Sequence, residues 1–208
     1  MKTTYYLITF CLLALFACRK TPDTSELSVN FVVQTAKEPG ADFSVYKTYY
    51  ISDTIARRST DLNDTLWVGA DAKQLVDAVK SNMDARGYTF VPTNHSAPDL
   101  GLGLTVLKDL NISVIYPGYW WGYWGGCYWG YCGYPPYYPY YGPVVYSVPT
   151  GTIVLDMIDI KNAAVNEKLY VPWSSVMSGG LGYTNDDLQL GVEAINQAFT
   201  QSPYIQTH

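Results

Sequence analysis

From position 116 to 146 the chain is built from Tyr, Trp, Gly and Pro, broken only by Cys127, Cys132, Val144 and Val145. No Asp, Glu, Lys, Arg or His interrupts the stretch. A helix crossing a bilayer needs about 20 apolar residues with every backbone group bonded inside the segment. Pro117, Pro135, Pro136, Pro139 and Pro143 remove donors, and the glycines weaken a helix further. The tract is therefore no membrane helix. The runs at 121–126 and 134–141 reuse the same few residue types, which marks low complexity. Patterned sequence on either side makes residues 117–143 a long insertion between two strands. Two readings stay open. In one, the rings cover each other and the neighbouring sheet. In the other, Tyr119, Trp120, Trp121, Trp124, Trp129, Tyr137, Tyr138, Tyr140 and Tyr141 are displayed for binding. Such rings combine contact area with a polar tip, which suits glycan faces, membrane interfaces and other proteins.

The N-terminus sets the expected compartment. Lys2 precedes an apolar run at 5–17, and Leu15, Phe16, Ala17 and Cys18 close it. This is secretory signal architecture, too short for a span. The cysteine after the small residue resembles a bacterial lipoprotein box, which implies cleavage after residue 17 and acylation (palmitate or a similar chain) of Cys18. Acyl chains contribute about 0.8 kcal/mol per buried CH₂, so several make a durable membrane anchor. Residues 18–26 read as a tether and 27–208 as one domain. Arg19, Lys20 and Thr21 lack the acidic run of a surface-export signal. The expected location is the cell envelope, at the outer membrane and facing the periplasm.

Acidic residues number 18 against 13 basic, which argues against a nucleic-acid partner. With Cys11 in the signal and Cys18 lipidated, Cys127 and Cys132 remain, and outside the cytoplasm such a pair is expected to form a disulfide. The chain-entropy account gives about 2 kcal/mol for so short a loop. Zinc is the competing reading, but His95 and His208 lie far off in sequence. No metal or cofactor is expected.

Along the rest of the chain, Leu27, Val29, Phe31 and Val33 alternate with polar residues as a half-buried strand. Pro39 and Gly40 mark a turn, and residues 45–51 read as a second strand. Arg57, Arg58, Asp61 and Asp64 are placed in a loop. A helix is expected over about 66–86, burying Ala72, Leu75, Val79 and Met83 and ending at Gly87. Its solvated side would carry Asp71, Lys73, Asp77, Lys80 and Asp84. Residues 88–91 are a short strand or linker. Leu100, Leu102, Leu104 and Val106 form a strand entering the tract, continued by Ile112, Val114 and Tyr116, and Ile153, Leu155 and Met157 form the returning one. Pro172 marks the stretch 168–176 as an edge strand or a bulge. Thr184 and Asp187 are spaced as a capping box for a last helix that buries Leu188, Val192, Ile195 and Phe199. The fold class is α+β: a single antiparallel or mixed sheet, two packed helices and the aromatic insertion.

These residues resemble a family. The runs 42–49, 86–88, 98–100, 151–159 and 199–203 follow one another as in the domain-of-unknown-function 4136 (DUF4136) lipoproteins, with an aromatic insert before the strand that begins at Gly151 and Thr152. Where relatives often carry Val-Trp, this chain has Pro172 and Trp173. The resemblance implies an α+β domain of envelope lipoproteins with no catalytic residues to carry over.

Chemistry is sparse in the sequence. Asp156 and Asp159 are the best acidic pair, yet a spacing of three puts them on opposite faces of a strand. His95 stands in a loop with no nucleophile motif beside it. The expectation is a non-enzymatic envelope lipoprotein, structural or binding, with an envelope protein, a glycan or the membrane interface as partner. The alternative is an envelope hydrolase using His95 and a nearby carboxylate.

Overall fold

The computed structural model describes residues 31–61, 63, 65–92, 97–108, 127–128, 131–132, 134–137, 151–179, 181 and 187–207. Leu100–Leu107 (β6) and Thr152–Asp159 (β10) form its centre, an antiparallel pair in register from Leu107 opposite Thr152 to Leu100 opposite Asp159. Leu169–Ser178 (β11) continues the sheet antiparallel to β10, and Val32–Lys37 (β1) pairs antiparallel with β11. On the other side of β6 lie Thr48–Ile51 (β2) and Ile55–Arg58 (β3), both parallel to it. Thr89–Phe90 (β5) adds parallel to β2, and Leu66–Trp67 (β4) adds antiparallel to β3. With Pro136–Tyr137 (β9) parallel to β11, the described residues give one nine-stranded mixed sheet. Cys127–Tyr128 (β7) and Tyr131–Cys132 (β8) form a separate two-stranded ribbon, so the strands are not all in a single sheet.

Ala70–Asp84 (α1) and Asp187–Thr200 (α3) pack against each other and against one face of the sheet. Side chains alternate across a strand, so Leu102, Leu104, Val106, Ile153, Leu155, Met157, Trp173 and Met177 point into this core. They meet Leu75, Val76, Val79 and Met83 of α1 and Ala194, Ile195, Ala198 and Phe199 of α3. Full burial of side chains of this size contributes about 1.5–3 kcal/mol each. The helices come close at Gly191, where an added Cβ would lie 2.9 Å from Leu75 Cδ2. A short helix, Ala163–Asn166 (α2), joins β10 to β11.

Several expectations need correction. The first strand runs on to Lys37, past the expected end at 33; Phe31, just before it, and Val33 pack inward, and residues 27–30 lie outside the described ones. The second strand begins at Thr48, not at Val45, because residues 43–45 form a 3₁₀ turn in which the Asp42 carboxylate accepts the Ser44 amide. Arg57 and Arg58 belong to a strand, not a loop, and β4 occupies what the helical pattern assigned to the first turn of α1. Gly69, with φ of 104°, breaks the chain between them. Strands β6 and β10 are buried on both faces. Of the two readings of Pro172, edge strand or bulge, the bulge holds: Met157 pairs with Trp173 and Asp159 with Tyr170, which leaves one extra residue on β11. The capping pair Thr184–Asp187 involves a residue outside the described ones, as do Ile112, Val114 and Tyr116.

Candidate functional site

Asp99 lies one residue before β6 and ties three segments together. Its Oδ2 accepts the amides of Lys47 at 2.7 Å and Thr48 at 3.1 Å, while its own amide donates to Thr48 Oγ1 at 2.9 Å. Its carbonyl accepts the amides of Ile160 and Lys161, just past the end of β10. The Lys161 ammonium donates to the carbonyl of Val45 and lies 3.7 Å from Asp99 Oδ1. Sequence spacing could not show this, since the partners are 51 and 52 residues away.

Beside it sit two phenol–carboxylate pairs. Asp159, 4% exposed at the end of β10, accepts the amide of Asn162 at 3.0 Å, its side-chain amide at 2.7 Å and the buried Tyr46 phenol. Burial first, then the Asp159 charge and hydrogen bond, push the Tyr46 phenol well above the ordinary tyrosine range. On β11 the Tyr170 phenol donates to Glu38 Oε1, and burial followed by that bond raises it as well. A phenol used as a base or nucleophile needs its pKa lowered. Both shifts run the other way, so these phenols act as fixed neutral donors.

The ends of the helices are fastened in the same manner on this side of the core. The Arg86 guanidinium donates to the carbonyl of Phe199 at 2.8 Å and of Asn82 at 3.1 Å, which joins the ends of α3 and α1. Tyr88 donates to the carbonyl of Phe43 at 3.1 Å. The fully buried Trp173 indole donates to Ser202 Oγ at 3.0 Å. Asp84, expected on the solvated side of α1, accepts the Tyr49 phenol at 2.8 Å, because Tyr49 reaches the helix margin from β2. Lys73 and Asp77 do form an exposed pair, at 2.6 Å.

The outer edge of β11 is where the aromatic insertion meets the sheet. β1 pairs with positions 173–178, and β9 takes over at Leu169 and Tyr170. The changeover falls at Pro172, which has no amide hydrogen and whose carbonyl accepts the Glu38 amide at 3.0 Å. The Leu169 amide donates to the carbonyl of Pro135 at 3.1 Å. The Tyr137 ring, 42% exposed, packs 5.3 Å from that of Tyr170, and the Lys168 ammonium sits 4.9 Å from its centroid. Glu38, Lys168 and Tyr170 were not singled out in the sequence. Tyr170 alone left a signal there, as an aromatic residue two positions before the strand proline.

Of the residues proposed from sequence, Tyr137 lies on this seam, and Cys127 and Cys132 are paired across the β7–β8 ribbon. Cys18, His95, Tyr119, Trp120, Trp121, Trp124, Trp129, Tyr138, Tyr140 and Tyr141 lie outside the described residues. Among the described residues no group of three or more His, Cys, Asp or Glu is placed to hold a metal. No helix among them is long and apolar enough to cross a membrane.

The chain is similar to proteins of solved structure. A crystal structure of a DUF4136 family protein from Bacteroides thetaiotaomicron is 32% identical, with a TM-score of 0.70, over 86% of this chain and 99% of that one. The PelC dodecamer from Paraburkholderia phytofirmans is 13% identical with a TM-score of 0.40, over 86% of this chain and 99% of that one. A PDZ domain protein from Parabacteroides distasonis is 15% identical with a TM-score of 0.38, covering 84% of this chain and 36% of that one. No curated protein matches the chain. The pattern described as "Domain of unknown function (DUF4136)" spans residues 33–204, and with that match and the 32% identical Bacteroides protein the chain belongs to the DUF4136 family.

Proposed function

We propose that this protein is a non-catalytic lipoprotein of the bacterial cell envelope, anchored through Cys18, whose domain holds the aromatic insertion as a contact surface. The observation that carries the reading is the docking of β9 on β11, where Tyr137 lies exposed between Tyr170 and Lys168. A ring flanked by a second ring and a cation is suited to a glycan face or to an aromatic or acidic group of a protein. The polar residues that a hydrolase would draw on are otherwise engaged: Asp99, Asp159 and Glu38 accept bonds that join strands and turns. The apolar run ending at Ala17 and Cys18 supports the anchor and the periplasmic side of the outer membrane.

Two measurements test this. Cys18→Ala should abolish incorporation of labelled fatty acid, and undiminished labelling would remove the anchor. Replacing Trp120, Trp121, Trp124 and Tyr137 together by Ser should leave a cooperative melt and eliminate crosslinks to envelope proteins or retention on purified envelope glycan. A variant that melts normally and keeps every crosslink and all glycan retention would refute the contact surface.

A further inference from the structure

The ribbon inside the insertion sets two cysteines opposite each other. Cys127 lies directly opposite Cys132, and Tyr128 opposite Tyr131, in an antiparallel pair. Two residues separate Tyr128 from Tyr131, so the connection is a two-residue hairpin, whose flanking pair is the hydrogen-bonded one. Hydrogen-bonded and non-hydrogen-bonded pairs alternate along such a ladder. Cys127 and Cys132 therefore fall at the non-hydrogen-bonded position, with Cα atoms about 4.5 Å apart. A disulfide spans about 4.4–6.8 Å between Cα atoms, so the backbone needs no movement to accept one. A slip of one residue would destroy this opposition. A hairpin this short is at best marginally stable in water by itself, so the ribbon requires a further constraint to persist.

We infer that Cys127 and Cys132 form an intramolecular disulfide that locks the register of the hairpin within the aromatic insertion. The bond forms by thiol–disulfide exchange with an oxidised protein disulfide. One thiolate attacks that disulfide to give a mixed disulfide, and the second cysteine displaces the partner's thiol. The two cysteines together lose two electrons and two protons, and the partner leaves as a dithiol. The inference uses the extracytoplasmic placement proposed above only to supply the oxidant; the pairing follows from the register.

The sequence provides a direct assay. No Lys or Arg occurs between Lys108 and Lys161, so a Lys/Arg-specific protease releases residues 109–161 as one peptide containing these two cysteines and no others. The full-length protein is equilibrated in a glutathione redox buffer, blocked with an alkylating agent, digested, and cut again after aromatic residues, which separates position 127 from 132. The two fragments should remain joined until reductant is added, and should fall apart without it in Cys132→Ser. Alkylation of both cysteines before reduction, or a link between two chains, would overturn the inference. The same digest on protein taken from cells tests the compartment separately. Reduced cysteines there, with joined fragments in the redox buffer, would refute the envelope placement and leave the pairing standing.

Discussion

Replacing Asp99 by alanine strands the amides of Lys47 and Thr48 at the start of β2 and removes the charge beside Lys161. A part-buried donor left without a partner costs about 1–3 kcal/mol. Asp99→Ala should therefore lower stability by about that amount in denaturant unfolding, and Asp99→Asn, which keeps an acceptor, by less. Gly151 presents a steric argument instead. Its φ is 79°, its amide donates to the carbonyl of Leu107, and its carbonyl accepts the amide of Leu181. A Cβ there would fall 1.3 Å from the Leu181 carbonyl oxygen, which is backbone and cannot rotate away. Gly151→Ala should thus cost well over about 1 kcal/mol, read as a lowered melting temperature. Both residues belong to the stretches that carry the family likeness. In the structure their work is to hold segments together, which is a structural reason for such motifs.

At the scale of elements, strands and helices with regular burial were legible from the sequence. The faces of α1 and α3 and the positions of β6 and β10 follow from spacing alone. What escaped depended on distant partners. The strand β3 reads as a charged loop, because Arg57 and Arg58 lie half-buried along the end of β6 and the Arg57 guanidinium sits 4.9 Å from the Trp67 ring. Pro172 signalled a disturbance but not its form, since only the pairings with β10, β1 and β9 distinguish a bulge from an edge. The insertion shows in the sequence only as a low-complexity stretch between two strands, yet β9 supplies a neighbour to β11. Two replacements should separate these views. Substituting a short Gly-containing turn for residues 117–133, with 134–137 kept, should preserve the melt. Removing 117–143 should cost a further 1–2 kcal/mol or so, through the lost Leu169 bond and the Tyr137 contact. Equal stability of the two variants would show that β9 contributes nothing.

At the scale of the whole molecule, four tyrosines among the described residues shape its response to alkali. Tyr46, Tyr49, Tyr88 and Tyr170 all hold their protons above the ordinary value, burial being the first cause in each. In the unfolded chain they ionise near pH 10, at about 10. Above that pH the unfolded state binds fewer protons than the folded one, so stability, full below it, declines as pH climbs toward the folded values. The melting temperature should fall steeply beyond about pH 10, and Tyr49→Phe should make the decline shallower. A flat profile would contradict the burial of these phenols. The pairing of β1 with β11 has a consequence of another kind. Val32 finds its partner at Ser178, and Lys37 at Trp173, so the first strand among the described residues has no paired neighbour until most of the chain exists. A polypeptide threaded through a membrane N-terminus first would emerge with its opening strand bare and wait for its closing one. Assembly is then gated by arrival, not by local helix formation. A chain halted at residue 168, before β11, should remain open to protease and to holding chaperones however long it is given.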